Sequence, residues 1–108
     1  MVSGQSELEI TDEEFKDTIN NSKIAVIDFF AEWCMPCLIL GPIIEDLSLS
    51  MKRVKFAKID IDDNQELAEK YKIYSIPCLI IFKDGKEIDR IIGVQPAESI
   101  EAKIKSYI

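Results

Sequence analysis

The chain has 108 residues, which is enough for one domain and too few for a second domain of ordinary size. Hydrophobic residues make up 47% of it, so the chain can bury a core without structural disulfides or metals to hold it together. The formal net charge is −7 and the basic residues are scattered, which excludes nucleic acid and anionic membrane surfaces as the main partners.

The N-terminal end is small and polar. We predict a flexible segment over residues 1–6 and a single domain over residues 7–108. The stretch MVSGQSELEI has no basic region followed by an apolar one, so it does not resemble a signal peptide. No apolar run approaches the roughly 18 residues that a membrane-spanning helix needs. We therefore expect a cytoplasmic protein without membrane contact. We also expect a monomer.

The first half of the chain alternates helix and strand patterns after a weak initial strand. Thr11 and Glu14 form a capping box, which predicts a helix over residues 11–20. The apolar run Lys23–Ala31 predicts a strand that is buried on both faces, as in the centre of a parallel sheet. Apolar residues at helical spacing then predict a helix over residues 35–51.

The second half begins with another strand pattern, over residues 54–61, and a helix that we expect to be capped at Asp63 or Asn64. Two further strand patterns, over residues 76–82 and 86–93, flank the turn signal K-D-G, so these strands should be antiparallel neighbours.

The dipeptide Gln95-Pro96 opens the last predicted helix. Helices between parallel strands, followed by a hairpin and a closing helix, indicate an α/β fold. The prediction is a central mixed sheet of about five strands flanked by about four helices.

The stretch AEWCMPCLILGP holds two of the three cysteines, Cys34 and Cys37, at the carboxyl end of a predicted strand, where α/β sheets place their sites. A thiol at a helix N-terminus faces free N–H groups and the positive end of the dipole, which favour the thiolate. Cys37 lies one turn further on the same face, close enough for a disulfide. This arrangement predicts an exposed, activated sulfur on Cys34 and a shielded, resolving sulfur on Cys37.

Two other uses of a C-x-x-C motif are less favoured. A structural zinc site takes four ligands, whereas this chain has no histidine, and Cys78 raises the number of cysteines only to three. A purely structural bridge between Cys34 and Cys37 closes too small a loop to stabilise the fold much. A redox dithiol is the favoured interpretation.

Three segments of the chain resemble the thioredoxin family: VIDFFAEWCMPC, SIPCLIIFKDGKE and IIGV. The acid in the strand, the Trp before C-x-P-C, the I-P dipeptide, the K-D-G turn and the later Gly recur in the family's order over nearly the whole chain. The resemblance implies the thioredoxin fold and protein disulfide reductase activity. It also implies disulfide-containing protein substrates, recycling by a thioredoxin reductase, and no bound cofactor, because the dithiol is itself the redox centre.

The resemblance assigns roles to individual residues. Cys34 matches the attacking thiol and Cys37 the resolving thiol. Pro77 matches the cis-proline that lies against the dithiol and presents backbone to the substrate. The positions that match the rim of the active site and the peptide groove are Trp33, Met35, Pro36, Ile76 and Gly93.

Asp28 lies on an otherwise apolar face of the predicted central strand, so we expect its carboxyl group to be buried. Burial disfavours the charged form and would raise the pKa of Asp28 toward a range useful for proton transfer. In the family, the matching acid serves through water as the general base for the second cysteine, and Lys58 matches the lysine that pairs with it. The alternative is a buried ion pair with no catalytic part.

The chain departs from the commonest family pattern near the dithiol. Met35 stands where glycine is most common and adds a flexible apolar contact that would shift the redox potential. Leu38 replaces a residue that is often basic and, with Ile39 beside it, enlarges an apolar surface suited to unfolded or apolar disulfide substrates. Ordinary packing of Ile39 and a solitary exposed Leu38 is an equally good reading.

Cys78 is a third departure, because a hydroxyl residue usually follows the cis-proline. The favoured interpretation is a small buried side chain in a strand, since alternation points it away from the face where Pro77 meets the dithiol. The alternatives are a regulatory thiol, or a third sulfur for an iron–sulfur or zinc site completed by another chain.

A second hypothesis for the whole chain is a metal-binding or adaptor module of thioredoxin fold that uses its groove without turnover.

Overall fold

The structure of the protein is a computed structural model that describes residues 8–108. The predicted flexible segment, residues 1–6, lies outside the described residues. The strands and helices are, in chain order, β1 (Leu8–Glu9), α1 (Asp12–Asn20), β2 (Ile24–Phe30), α2 (Met35–Ser50), β3 (Val54–Asp60), α3 (Gln65–Lys70), β4 (Cys78–Lys83), β5 (Lys86–Ile92) and α4 (Ala97–Lys105). The predicted fold, a mixed sheet of five strands with four helices, is confirmed.

The five strands form one sheet in the order β1-β3-β2-β4-β5. Strands β1 and β2 run parallel to β3, and β4 runs antiparallel to both β2 and β5. β2 is therefore central, which explains why six of its seven residues are buried and why its sequence is apolar apart from Asp28.

Apolar side chains cover both faces of the sheet. We call the two layers the α2/α4 core and the α1/α3 core. The α2/α4 core includes Val26, Leu79 and Ile81 from the sheet, Leu40 and Ile44 from α2, and Ile100 and Ile104 from α4. The α1/α3 core includes Ile27, Phe29, Ile80 and Phe82 from the sheet, Phe15 and Ile19 from α1, and Leu67 from α3. Each large side chain withdrawn from water in this way stabilises the fold by about 1.5–3 kcal/mol before conformational entropy is subtracted.

The parallel pairing of β2 and β3 brings their carboxyl ends to the same edge of the sheet. There the backbone N–H of Ile61, just after β3, donates to the carbonyl oxygen of Phe30 at 2.9 Å. The loop that leads into α2 and the loop that follows β3 are thereby held side by side. Cys34 ends the first of these loops, and Cys37 lies in the first turn of α2.

Helix starts follow the predicted capping. Thr11 caps α1, and its backbone N–H donates to Oε1 of Glu14 at 2.9 Å, which completes the predicted capping box. Of the two residues considered for the start of α3, Asn64 occupies the N-cap position, but its side chain bonds to the backbone of Asp12 and Asp60 instead of capping the helix. Within residues 8–108, no helix combines the length and the apolarity needed to cross a membrane.

The predicted hairpin between β4 and β5 turns through Asp84 and Gly85, whose φ angles are 53° and 83°. Two successive positive φ angles are what a two-residue type I′ turn needs. An added Cβ at residue 85 would also collide with the side chain of Asn20 at the end of α1.

We expect Gly85→Ala to lower the free energy of unfolding by about 1–2 kcal/mol, because alanine is strained at this φ and meets Asn20. Urea denaturation would measure the change. The matched control is Gly41→Ala in α2, where an added Cβ meets nothing within 4 Å and helix propensity favours alanine. Equal destabilisation by both changes would contradict this account of the turn.

Candidate active site

The two cysteines sit where β2 gives way to α2. Cys34 is the N-cap of α2, and its Sγ accepts a hydrogen bond from the backbone N–H of Cys37 at 3.2 Å. The two residues are joined by a disulfide, with their Cα atoms 5.2 Å apart. Pro36 fits in the first turn, where backbone N–H groups have no partner within the helix. The predicted pairing of these sulfurs at a helix N-terminus is therefore present.

The prediction that Cys34 is exposed while Cys37 is shielded is wrong for the disulfide form. Cys34 is 4% exposed and Cys37 is 6% exposed, so both are buried to a similar extent. The reason is that side chains from separate loops, Ile61 and Ile76, pack against the cysteine pair. The residues that project into solvent are instead the neighbours Trp33 and Met35, at 68% and 67% exposure.

A second loop faces the dithiol. The peptide bond between Ile76 and Pro77 is cis, as the family resemblance implied. The carbonyl oxygen of Pro77 accepts a hydrogen bond from the backbone N–H of Gly93 at 2.9 Å. Through the packing of Ile76 and this hydrogen bond, the structure brings the predicted groove residues Ile76, Pro77 and Gly93 to the same end of the sheet as the cysteines.

A carboxylate that the sequence analysis missed fixes one of the rim residues. Nε1 of Trp33 donates a hydrogen bond to Oδ2 of Asp62 at 2.7 Å. Asp62 is itself positioned, since its backbone N–H donates to Oδ1 of the buried Asp60 at 2.8 Å. The signal available in the sequence was D-I-D-D at the carboxyl end of a predicted strand, the position where α/β folds place functional side chains.

Asp28 is buried, as predicted, at 3% exposure. It stands directly opposite Lys58 in the register of β2 and β3. The Nζ atom of Lys58 lies 5.3 Å from the centre of the Phe30 ring, which places the lysine over the end of β2. Asp28 and Lys58, which the sequence predicted to be partners, are thus cross-strand neighbours on the same face of the sheet.

A cavity of about 380 Å³ extends from Asp28 and Lys58 to Cys37 of the dithiol. Its wall includes Asp28, Lys58 and Cys37, so the buried carboxyl group, the lysine and the second cysteine open into the same space. Three further acids, which the sequence analysis did not single out, line the cavity: Glu9, Glu32 and Glu45. The sequence alone does not reveal the position of Glu9, because that position depends on the pairing of β1 with β3, which sets Glu9 opposite Lys58.

Cys78 is a free cysteine, and it faces the side of the sheet opposite to Asp28. It is 1% exposed and packs within the α1/α3 core, whereas Asp28 pairs with Leu79 of the α2/α4 core. Burial is the main cause that raises the pKa of the Cys78 thiol, and the nearby charge of Arg90 partly opposes it. The third cysteine is therefore separated from the dithiol and is held as a thiol, in agreement with the favoured interpretation.

Cys34 and Cys37 belong to no group of possible metal ligands within residues 8–108. Among the described residues, the one cluster of three side chains that could hold a cation consists of the carboxylates of Glu9, Asp60 and Asp63. Because this cluster includes no sulfur, it gives no support to a zinc site built on Cys34 and Cys37.

Comparison with known proteins decides the family. The family model described as Thioredoxin matches residues 6–106 of this chain. The chain belongs to the thioredoxin family. A thioredoxin from Chlamydia trachomatis is 45% identical over 98 residues, which cover 91% of this chain and 95% of that protein. A thioredoxin from Staphylococcus aureus is 34% identical over 102 residues, which cover 94% of this chain and 97% of that protein.

Solved structures of the family have the same fold. An N21Q mutant thioredoxin from Halobacterium salinarum superposes with a TM-score of 0.89 at 32% identity, covering 99% of this chain and 95% of that chain. Mitochondrial thioredoxin 3 from Saccharomyces cerevisiae, in its oxidised form, superposes with a TM-score of 0.86 at 32% identity, covering 94% of this chain and 95% of that chain.

Thioredoxins are thiol–disulfide oxidoreductases, and this chain keeps the paired cysteines that the activity needs. The chain is therefore a thiol–disulfide oxidoreductase that acts through Cys34 and Cys37. The other hypothesis, a metal-binding or adaptor module of the same fold without turnover, is not favoured.

Proposed function

We propose that the chain reduces disulfide bonds in other proteins and is returned to its dithiol form by a thioredoxin reductase. The observation that carries this proposal is the position of the Cys34–Cys37 pair, at the N-terminus of α2 with Ile76 packed against it. A thiolate at such a helix end is stabilised by N–H groups and the helix dipole.

Reduction proceeds in two thiol exchanges. The Cys34 thiolate attacks one sulfur of the substrate disulfide, so the Cys34–substrate bond forms while the substrate S–S bond breaks. The first substrate sulfur leaves as a thiolate and takes a proton from water. Cys37 then loses its proton and attacks Cys34, which forms the Cys34–Cys37 disulfide and releases the second substrate sulfur. The substrate gains two electrons and the chain loses two.

Asp28 is the base that we assign to the second exchange. Its buried carboxyl group and Cys37 line the same cavity, which gives a proton a path between them. Lys58, opposite Asp28 in the sheet, balances the negative charge when Asp28 is ionised. Pro77, Ile76 and Gly93 form the backbone surface along which the substrate segment lies, and Trp33, Met35 and Pro36 form its rim.

The dithiol stores the two electrons that each cycle consumes, so the reaction as proposed needs no bound cofactor. A separate donor must supply those electrons, and a thioredoxin reductase is the donor that family membership supports. We also propose that the chain acts as a monomer in the cytoplasm. Thiols are kept reduced in that compartment, which suits a protein that must return to its dithiol form.

The proposal is tested with Cys37→Ser. Because this variant keeps the attacking thiol and lacks the resolving one, we expect it to accumulate a mixed disulfide with a protein substrate. Intact mass under non-reducing conditions would detect the adduct, and reduction of the sample would remove it. The double variant Cys34→Ser/Cys37→Ser is the control and should form no adduct; identical behaviour of the two variants would contradict the attack-and-resolve mechanism.

A further inference from the structure

Four segments surround the dithiol, and we call them together the dithiol rim: residues 31–39, 60–63, 73–77 and 92–96. Contacts tie them to one another. Ile61 and Ile76 pack against the cysteine pair, and the hydrogen bond from Gly93 to Pro77 joins the last two segments. The four segments are thus linked to one another at the end of the sheet that holds the reactive sulfurs.

Of the eleven large apolar side chains that are exposed within residues 8–108, seven lie in the dithiol rim. Two of them are aromatic: Tyr74 is 85% exposed and Trp33 is 68% exposed. The other exposed large apolar side chains of the rim are Met35, Leu38, Ile39, Ile92 and Val94. Exposed apolar side chains concentrated in one region mark a surface that binds another molecule.

The charges of the dithiol rim all have one sign. The four segments contain no lysine and no arginine. Their exposed charged residues are Glu32, Asp62 and Asp63, and Asp60 is buried beneath them. The whole chain carries a net charge of −7, so the rest of the chain has no excess of positive charge to offset the negative charge of the rim. A partner that approaches the dithiol therefore meets a negative potential on an apolar surface.

The aromatic side chains favour the same kind of partner. The hydrogen bond from Nε1 of Trp33 to Asp62 holds the exposed indole beside a carboxylate. An indole face attracts ammonium and guanidinium groups, and Tyr74 offers a second exposed ring on the facing loop. Because the rim has no basic residue, no cation of the chain itself competes for these rings within the rim.

We propose that the dithiol rim selects extended polypeptide segments in which the reactive cysteine is flanked by apolar residues and by lysine or arginine. This inference rests on the proposed reductase function, because it names the substrate class of the same site. Apolar neighbours of the substrate cysteine bind the exposed side chains of the rim, while the basic groups meet Glu32, Asp62 and the two aromatic rings.

The test uses three synthetic peptides, each closed by one internal disulfide, with the same apolar sequence. The residues on either side of one cysteine are both lysine, both glutamine or both glutamate. We expect kcat/KM for the lysine peptide to exceed that for the glutamate peptide by about tenfold at low salt, with the glutamine peptide between them. At about 1 M salt the Debye length falls to roughly 3 Å, so this preference should shrink to about twofold.

Charge-neutral variants identify the groups responsible. The double variant Glu32→Gln/Asp62→Asn removes two charges from the rim, while the asparagine keeps an acceptor for Trp33; we expect the lysine preference to fall to about threefold or less at low salt. The matched control is Glu13→Gln/Asp46→Asn, which removes two exposed charges from α1 and α2 outside the rim. This control should keep the full preference.

Equal rates for the lysine and glutamate peptides would overturn the inference, and so would an equal fall of the preference in the control variant. Sedimentation would show whether the chain forms a dimer that Met35→Glu converts to a monomer. That result would mean that the rim binds a second copy of the chain, and it would also overturn the inference. A small uncharged disulfide separates the two proposals: if it is reduced while the peptides show no preference, only the inference fails. If it is not reduced either, the reductase function fails and the inference with it.

Discussion

Cys34→Ser is expected to abolish disulfide reduction, lowering kcat/KM by roughly a thousandfold or more, because the attacking atom is removed. A serine hydroxyl does not ionise near neutral pH, so it cannot replace the thiolate at the end of the helix. The fold should persist, since serine at the N-cap can still accept the hydrogen bond that Cys34 receives from the backbone N–H of Cys37. Reduction of a protein disulfide at fixed reductant concentration would measure the loss.

Cys78→Ala is the matched control for that variant. Cys78 is the remaining cysteine of the chain, and it is buried in the α1/α3 core with its thiol pKa raised by burial. We expect the Cys78→Ala chain to reduce disulfides at the rate of the unchanged chain, with some loss of stability from the smaller side chain. If it lost activity to the same extent as Cys34→Ser, the third cysteine would belong to the reaction and the assignment of the site to two sulfurs would be wrong.

The arrangement of the elements could be predicted from the sequence because local signals repeat along the chain. An apolar run from residue 24, interrupted only by Asp28, identifies the central strand, and the K-D-G turn indicates the antiparallel pairing of β4 and β5. The position of Cys34 at a strand end and helix start also follows from these local patterns. Alternation along β4 predicted correctly that Cys78 faces away from the dithiol.

What the sequence analysis missed depends on contacts between distant segments. The burial of Cys34 is set by Ile61 and Ile76, which come from loops after β3 and before β4. The hydrogen bond between Trp33 and Asp62 spans 29 residues of chain. Glu9 comes into the cavity only because β1, a strand of two residues, adds to the edge of the sheet beside β3. Local propensity carries no information about any of these contacts.

Asp28→Asn tests the proposed base in the second exchange. Asparagine keeps the shape of the side chain and cannot accept the proton of Cys37, so release of the substrate should slow by up to about 100-fold near neutral pH. The first exchange, attack by Cys34, should be nearly unchanged, because Asp28 opens into the cavity behind Cys37. Single-turnover measurements that follow formation and decay of the mixed disulfide would separate the two steps.

The pH dependence distinguishes a base from a structural carboxylate. Without Asp28, Cys37 must ionise unaided, and an ordinary thiol has a pKa of about 8.5. The deficit of the variant should therefore be largest below that pH and should shrink as the pH rises through it, since the thiolate then forms without a base. A purely structural role would slow both steps together, at all pH values. Asp46→Asn, in an exposed position on α2, controls for the loss of one negative charge and should leave both steps and their pH dependence unchanged.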